Sequence, residues 1–164
     1  MSWHAIYVKP RHEKKFARLC EILNLIHYLP LRTQTKVYQR RKVILDIPVF
    51  KGYVFASFEN NVKTDLFMTD SIIRVIKPVD EVSFLFQLDQ IKMALMIDPS
   101  LNASKALYKG LRVRINTGPF MGIEGIIDSV RKNSKIYLNV EMIGQSIVVM
   151  ANKEDIEIMG PNDD

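Results

Sequence analysis

The sequence predicts an α+β unit, an antiparallel sheet flanked by helices, followed by a small all-β barrel. Three observations predict it. Strand-like and helix-like segments alternate through residues 1–97. Residues 98–106 then break the apolar period with turn-forming residues. Beyond them the helical period vanishes, and five of the seven glycines, at 110, 118, 122, 125 and 144, punctuate short runs rich in Val and Ile.

The elements follow in order. Trp3–Val8 is aromatic and β-branched and reads as a strand with Trp3, Ala5 and Tyr7 on one face, stopped at Lys9-Pro10. From Arg11 to about Leu25 the period is helical, with Phe16, Leu19, Cys20 and Leu23 on a buried stripe and Arg11, Lys14, Lys15 and Arg18 on the solvent side. Ile26–Leu31 returns to extended structure. Thr33–Tyr38 and Val43–Ile47 are expected to pair as a hairpin whose tip, Gln39-Arg40-Arg41-Lys42, is a basic projection. Phe50–Phe58 is the strongest strand of this half. Asn60–Thr69 reads as a helix, Ile72–Ile76 as a strand stopped by Pro78, Val82–Phe86 as a further strand and Leu88–Met96 as a helix with Leu88, Ile91 and Leu95 on one side. After the linker, Leu111–Ile115 alternates, and Glu124–Val130, Ile136–Met142, Gln145–Met150 and Ile156–Ile158 complete the strands. Gly118 and Gly122 suit positive φ at a turn, and Gly125 allows close strand approach. The acidic residues after Gly160 read as a frayed tail.

Composition narrows the function. At 164 residues, 48% hydrophobic and 25% charged, the chain is ordinary globular protein, one domain or two small ones. A single cysteine excludes an internal disulfide and a Cys-rich zinc site. No apolar run approaches the roughly 20 residues of a membrane span, and early basic residues break any signal-peptide pattern, so a cytoplasmic location is expected. The net charge of +5 is uneven: residues 1–45 carry +8, residues 46–96 carry −2 and the remainder −1. So concentrated a positive field suggests a polyanionic partner, and nucleic acid first of all. His4, His12 and His27 lack metal-ligand spacing, Cys20 sits on the buried stripe, and no nucleophile–base set, phosphate loop or paired carboxylates stand out. A non-enzymatic protein without metal or cofactor is expected.

Two sets of motifs carry a resemblance. In the second half, a strand after Gly110 is followed by Gly118-Pro119-Phe120 and Gly122-Ile123-Glu124-Gly125-Ile126, which resembles the KOW motif of NusG-type transcription factors and some ribosomal proteins. In the first half, Trp3-x-x-x-Tyr7-Val8-Lys9, Arg11-His12-Glu13-Lys14-Lys15, Tyr28-Leu29-Pro30 and Val49-Phe50-Lys51-Gly52-Tyr53-Val54-Phe55 resemble an NGN domain. An NGN domain (1–97), a linker (98–106) and a KOW domain (107–160) are the layout of the NusG family of elongation and antitermination factors. The wording is nearest to specialised paralogues of the RfaH and UpxY type. Two departures stand out: Phe50-Lys51-Gly52-Tyr53 replaces the family's Phe-Pro-Gly-Tyr, and Thr69-Asp70-Ser71-Ile72 replaces Thr-Pro-Gly-Val.

The resemblance implies a set of partners. It implies docking on the clamp helices of RNA polymerase β′ through an uncovered apolar patch at Tyr7, Phe50, Tyr53 and Phe55, with Ile91 and Leu95 beside it and Thr64 toward the polymerase β gate loop. Lys9, Arg11, Lys14, Lys15 and Arg18, with Arg40, Arg41 and Lys42 at the hairpin tip, would face the DNA of the elongation complex. The KOW barrel would recruit Rho or a small-subunit ribosomal protein, and would rest as a barrel rather than as a helical mask over the polymerase patch. Rival readings are a housekeeping NusG and an RNA-binding KOW protein of ribosome assembly.

Overall fold

The computed structural model describes residues 1–59 and 69–162. The expected helix at 60–69 and the candidate Thr64 therefore lie outside the described residues, save Thr69. Ser2–Val8 (β1), Ile26–Tyr28 (β2), Tyr53–Phe58 (β5) and Ile72–Ile76 (β6) form an antiparallel sheet in the order β2-β5-β1-β6. Leu31–Tyr38 (β3) and Arg41–Pro48 (β4) pair with each other as a separate two-stranded ribbon.

Both faces of the first sheet are covered, which explains why β1 and β5 are nearly continuous apolar runs rather than strict alternations. On one face, Ile6, Val8, Val54, Ala56 and Phe58 meet Phe16 and Cys20 of helix α1, Glu13–Ile22. That helix is shorter than its periodicity suggested. Lys9-Pro10-Arg11-His12 is a turn closed by the His12 N–H on the Lys9 carbonyl, with Arg11 at φ 67°, and it holds the chain out of the helix until Glu13. At the far end Asn24, at φ 55°, ends it in a Schellman-type cap: the Leu25 N–H donates to the Cys20 carbonyl at 2.8 Å.

Helix α2, Glu81–Ile97, covers the other face. It absorbs Val82–Phe86, which had read as a strand. Asp80 supplies the physical reason: its carboxylate accepts the Ser83 N–H at 3.2 Å, an N-cap that starts the helix ahead of the alternating apolar residues. Phe84, Leu88, Ile91 and Leu95 recur at helical spacing and are buried toward Ala5 and Phe55, with the Phe84 and Phe55 ring centroids 5.5 Å apart.

The second half forms a six-stranded antiparallel sheet in the order β12-β8-β9-β10-β11-β7. Its strands are Ala103–Lys105 (β7), Leu111–Ile115 (β8), Glu124–Ile127 (β9), Asn133–Val140 (β10), Gln145–Asn152 (β11) and Ile156–Pro161 (β12). Val113 and Ile115 are buried and Arg112 and Arg114 exposed, as the alternation predicted. Two ends differ from expectation. The last part of the expected linker is strand β7, bonded to β11 with Ala103 opposite Ile147. Of the tail expected to fray, Asn162 is tied down: its N–H donates to the Gly110 carbonyl and its amide to the Tyr108 carbonyl at 2.6 Å, while residues 163–164 lie outside the described residues.

The two sheets share one apolar cluster. It runs from Ala5 and Phe55 through α2 to Val113, Leu138 and Ile147. Two side-chain amides on α2 stitch the contact: Gln90 Oε1 accepts the Glu124 N–H at 2.8 Å, and Gln87 Oε1 accepts the Glu141 N–H at 3.0 Å. No helix among the described residues is long and apolar enough to cross a membrane.

Close strand approach at Gly125 is a sharp test of the second sheet. A Cβ there would lie 2.5 Å from Ile136 Cγ2 and 2.8 Å from the Tyr137 carbonyl oxygen. Gly125→Ala is therefore expected to cost about 1–3 kcal/mol of stability by overpacking, read as a lower urea midpoint. An unchanged midpoint contradicts the packing described.

Candidate partner-binding surface

The ring-bearing face of the first sheet is built from one turn. Phe50-Lys51-Gly52-Tyr53 closes with the Tyr53 N–H on the Phe50 carbonyl at 3.1 Å and Gly52 at φ 86°, the position a type II turn reserves for glycine. Lys51 occupies the neighbouring corner, which accepts most residues, so the departure from Phe-Pro-Gly-Tyr leaves the turn intact. Glycine has a second use here: a Cβ at 52 would fall 2.7 Å from Tyr7 Cε1. Any side chain would push the Tyr7 ring off the turn.

Glu13 fixes the same turn from beneath. Its carboxylate is buried and accepts the Gly52 N–H at 3.0 Å. The expected buried stripe, Phe16, Leu19, Cys20 and Leu23, did not include it. The signal was present, because 13, 16, 17 and 20 are the one stripe of α1 that is buried.

The four expected aromatics divide. Tyr7 and Tyr53 stand opposite each other on β1 and β5, with ring centroids 5.0 Å apart; Tyr7 is 36% exposed and Tyr53 half-buried. Phe50 and Phe55 are buried, as are Ile91 and Leu95. The expectation of four uncovered rings is thus corrected for Phe50 and Phe55, and the reason is α2. Its apolar face lies over this part of the sheet, with Phe84 on Phe55, while Tyr53 is only partly buried against the same cluster and Tyr7 is more open. Trp3 is partly buried against the same cluster, and its backbone N–H donates to Glu81 Oε1 at 2.6 Å.

The expected cations are on the surface. Lys9, Arg11, Lys14, Lys15 and Arg18 are all exposed, and so are Arg40, Arg41 and Lys42 on the ribbon. Lys15 lies 3.7 Å from Asp70, an exposed pair of little energetic weight. The other seven have no carboxylate partner among the described residues. Arg11 and Arg40 hold left-handed backbone, φ 67° and 66°, where glycine is the ordinary choice. Burial pushes the Cys20 thiol up to about 12 from its ordinary 9.0, and the Tyr28 hydroxyl up to about 12 from 10.0. Both groups are thereby kept neutral, and the thiol kept inert, near neutral pH. Among the described residues no cluster of three or more His, Cys, Asp or Glu is placed to hold a metal ion.

A second concavity lies where α2 meets the second sheet. It is a cleft of about 300 Å³ between Phe86, Gln87 and Gln90 on one side and Arg112, Glu124 and Asn139 on the other. Nothing in the sequence pointed to Gln87 or Gln90 individually. The available signal was the helix itself, since Val82, Leu85, Phe86, Met93, Met96 and Ile97 make it apolar beyond one stripe.

The first sheet thus presents a partly open tyrosine pair, and the turn, the helix and the ribbon around it present exposed cations. The family model described as "Transcription termination factor nusG" matches residues 1–96, more than half of the chain, and the chain belongs to the NusG family of transcription factors. It is similar to the "Transcription termination/antitermination protein NusG" of Borreliella burgdorferi (strain ATCC 35210 / DSM 4680 / CIP 102532 / B31), 21% identical over 182 residues that cover 95% of this chain and 97% of that protein. Its fold is similar to that in a structure titled "Domain interaction in Thermotoga maritima NusG", with TM-score 0.50, 17% identity, and 96% of this chain and 97% of that one covered.

The left-handed arginine in the turn before α1 makes a testable trade of stability against charge. Relief of the roughly 1–2 kcal/mol cost of that conformation, less the extra freedom glycine has when unfolded, sets the outcome. Arg11→Gly is expected to gain about 0.5–1 kcal/mol in urea unfolding. A loss of stability would show that the Arg11 side chain holds the fold rather than facing a partner.

Proposed function

We propose that this chain is an elongation and antitermination factor that docks on the β′ clamp helices of RNA polymerase through its first sheet. The observation that carries the reading is the Tyr7–Tyr53 pair, left at the edge of α2's cover in a chain of the NusG family. Exposed aromatics on a rigid strand pair lose little entropy on binding and dominate interfaces as hot spots. Phe50 and Phe55 act from below, holding the strand pair flat. Ile91 and Leu95 reach a partner only if α2 separates from the sheet. Thr64 is the proposed contact toward the polymerase β gate loop.

In this reading residues 1–97 are the NGN domain and residues 107–160 an SH3-like KOW barrel. In this reading it belongs with the specialised RfaH and UpxY type of factor that its wording resembles, acts in the cytoplasm, and has the housekeeping NusG role as the alternative. Lys9, Arg11, Lys14, Lys15 and Arg18, with Arg40, Arg41 and Lys42, face DNA of the elongation complex and set affinity and orientation through phosphates rather than sequence. The factor performs no chemistry and needs no cofactor. By bridging the polymerase clamp and the opposite side of the cleft it biases the polymerase toward its closed state, which suppresses pausing and termination. The KOW half recruits Rho or a small-subunit ribosomal protein.

Binding of the full chain to purified polymerase tests this. Tyr7→Ala and Tyr53→Ala are each expected to lose on the order of 1–3 kcal/mol of binding while keeping the fold. Phe50→Ala, by contrast, is expected to cost about 3–5 kcal/mol of folding stability. Full polymerase affinity in both tyrosine variants would remove the docking assignment.

A further inference from the structure

The β3–β4 ribbon stands apart from both sheets, and its register sorts its side chains onto two faces. Cross-strand partners share a face, so Lys36 and Val43, Tyr38 and Arg41, and Arg32 and Ile47 lie together on one side. The other side carries Val37 with Lys42, Thr35 with Ile44, and Thr33 with Asp46. The first face thus holds three cations and an aromatic ring with no acidic residue. The ribbon's only carboxylate, Asp46, is on the opposite face.

We propose that this first face binds single-stranded nucleic acid, with Tyr38 as a stacking platform for one base and Lys36 and Arg41 as phosphate partners. Tyr38 is 69% exposed and makes no ring contact with another aromatic among the described residues. Lys36 and Arg41 are exposed, without a carboxylate partner among the described residues. Cations flanking an open ring are the make-up of a single-strand platform, where charge holds the backbone and stacking holds the base. A duplex presents only base edges in its grooves, so a free ring face favours the unpaired strand.

The turn adds an independent observation. Tyr38 pairs with Arg41, leaving a two-residue connection, Gln39-Arg40, with φ 46° and 66°. This is the primed turn for which Asn-Gly is the relaxed sequence. Keeping two long side chains in left-handed backbone costs stability, and strain of this sort concentrates at functional sites. Here it adds a further cation, Arg40, at the tip. The base of the ribbon is anchored to the chain beyond the second helix, where the Thr33 N–H donates to the Pro99 carbonyl at 2.7 Å. The platform is therefore held at a fixed place on the molecule.

This inference deepens the nucleic-acid part of the proposed function, and rests on it only for where such a strand would come from. Fluorescence anisotropy of the full chain with a short labelled single-stranded DNA, and with its duplex, tests it without polymerase. Tyr38→Ala is expected to weaken single-strand binding about tenfold, with Tyr38→Phe within about twofold of wild type. The double variant Lys36→Gln/Arg41→Gln should make the plot of log K against log[salt] shallower by about 1.4, two phosphates' worth on a single strand. Val37→Thr with Ile44→Thr, on the opposite face, should leave affinity unchanged. Unaltered binding by a folded Tyr38→Ala variant, equal or tighter binding of the duplex, or no binding of either DNA overturns the proposal. Tyr7→Ala and Tyr53→Ala serve as the separating controls. Full polymerase affinity in both, with Tyr38→Ala impaired in strand binding, contradicts only the docking reading; loss of polymerase affinity in both, with strand binding by Tyr38→Ala unaltered, contradicts only this one.

Discussion

One helix serves two sheets. Apolar side chains of α2 close the first sheet through Phe84, Leu88, Ile91 and Leu95, while Gln87 and Gln90 on an adjoining face accept backbone N–H groups of the second. A helix wet on one side needs a single apolar stripe, whereas a helix covered on two sides must be apolar over most of its circumference. Gln90 is buried and its carbonyl is satisfied by Glu124, so separating the sheets would rehydrate that amide along with the apolar surface. The join therefore combines non-directional burial with two directional bonds that fix how the sheets meet.

That arrangement decides which rings remain for a partner. Phe50, Phe55 and Phe84 form an interior row with ring centroids 6.4 and 5.5 Å apart. The tyrosines continue the same sheet face, Tyr53 partly buried against the cluster and Tyr7 more open. A hydroxyl-bearing ring suits that edge, because its body packs on the apolar sheet while its oxygen meets water. The interior phenylalanines thus give rigidity and the tyrosines give access, a division of labour within one turn and two strands.

Much of this was legible in the sequence, and the exceptions have physical causes. The hairpin with its basic tip, the alternation of Leu111–Ile115 and the positive φ at Gly118 and Gly122 followed from local pattern. Val82–Phe86 misled because its apolar residues are spread by the two-sided cover of α2, a tertiary fact, and the cap at Asp80 was the overlooked local clue. Ala103–Lys105 has turn-like composition and becomes a strand only because β11 offers it an edge. At the site, the identity of the rings was readable but their burial was not, since burial depends on where α2 lies. The left-handed arginines were invisible in the same way: nothing in the letters of Arg11 or Arg40 announces a glycine-like backbone.

The most direct test of this account is the tumbling of the full chain in solution, measured by backbone nitrogen-15 relaxation. If α2 holds both sheets in one core, residues of β1 and β5 and residues of β8 and β10 share a single rotational correlation time, that of one 164-residue body. Two distinct correlation times, each that of a smaller body, would contradict it.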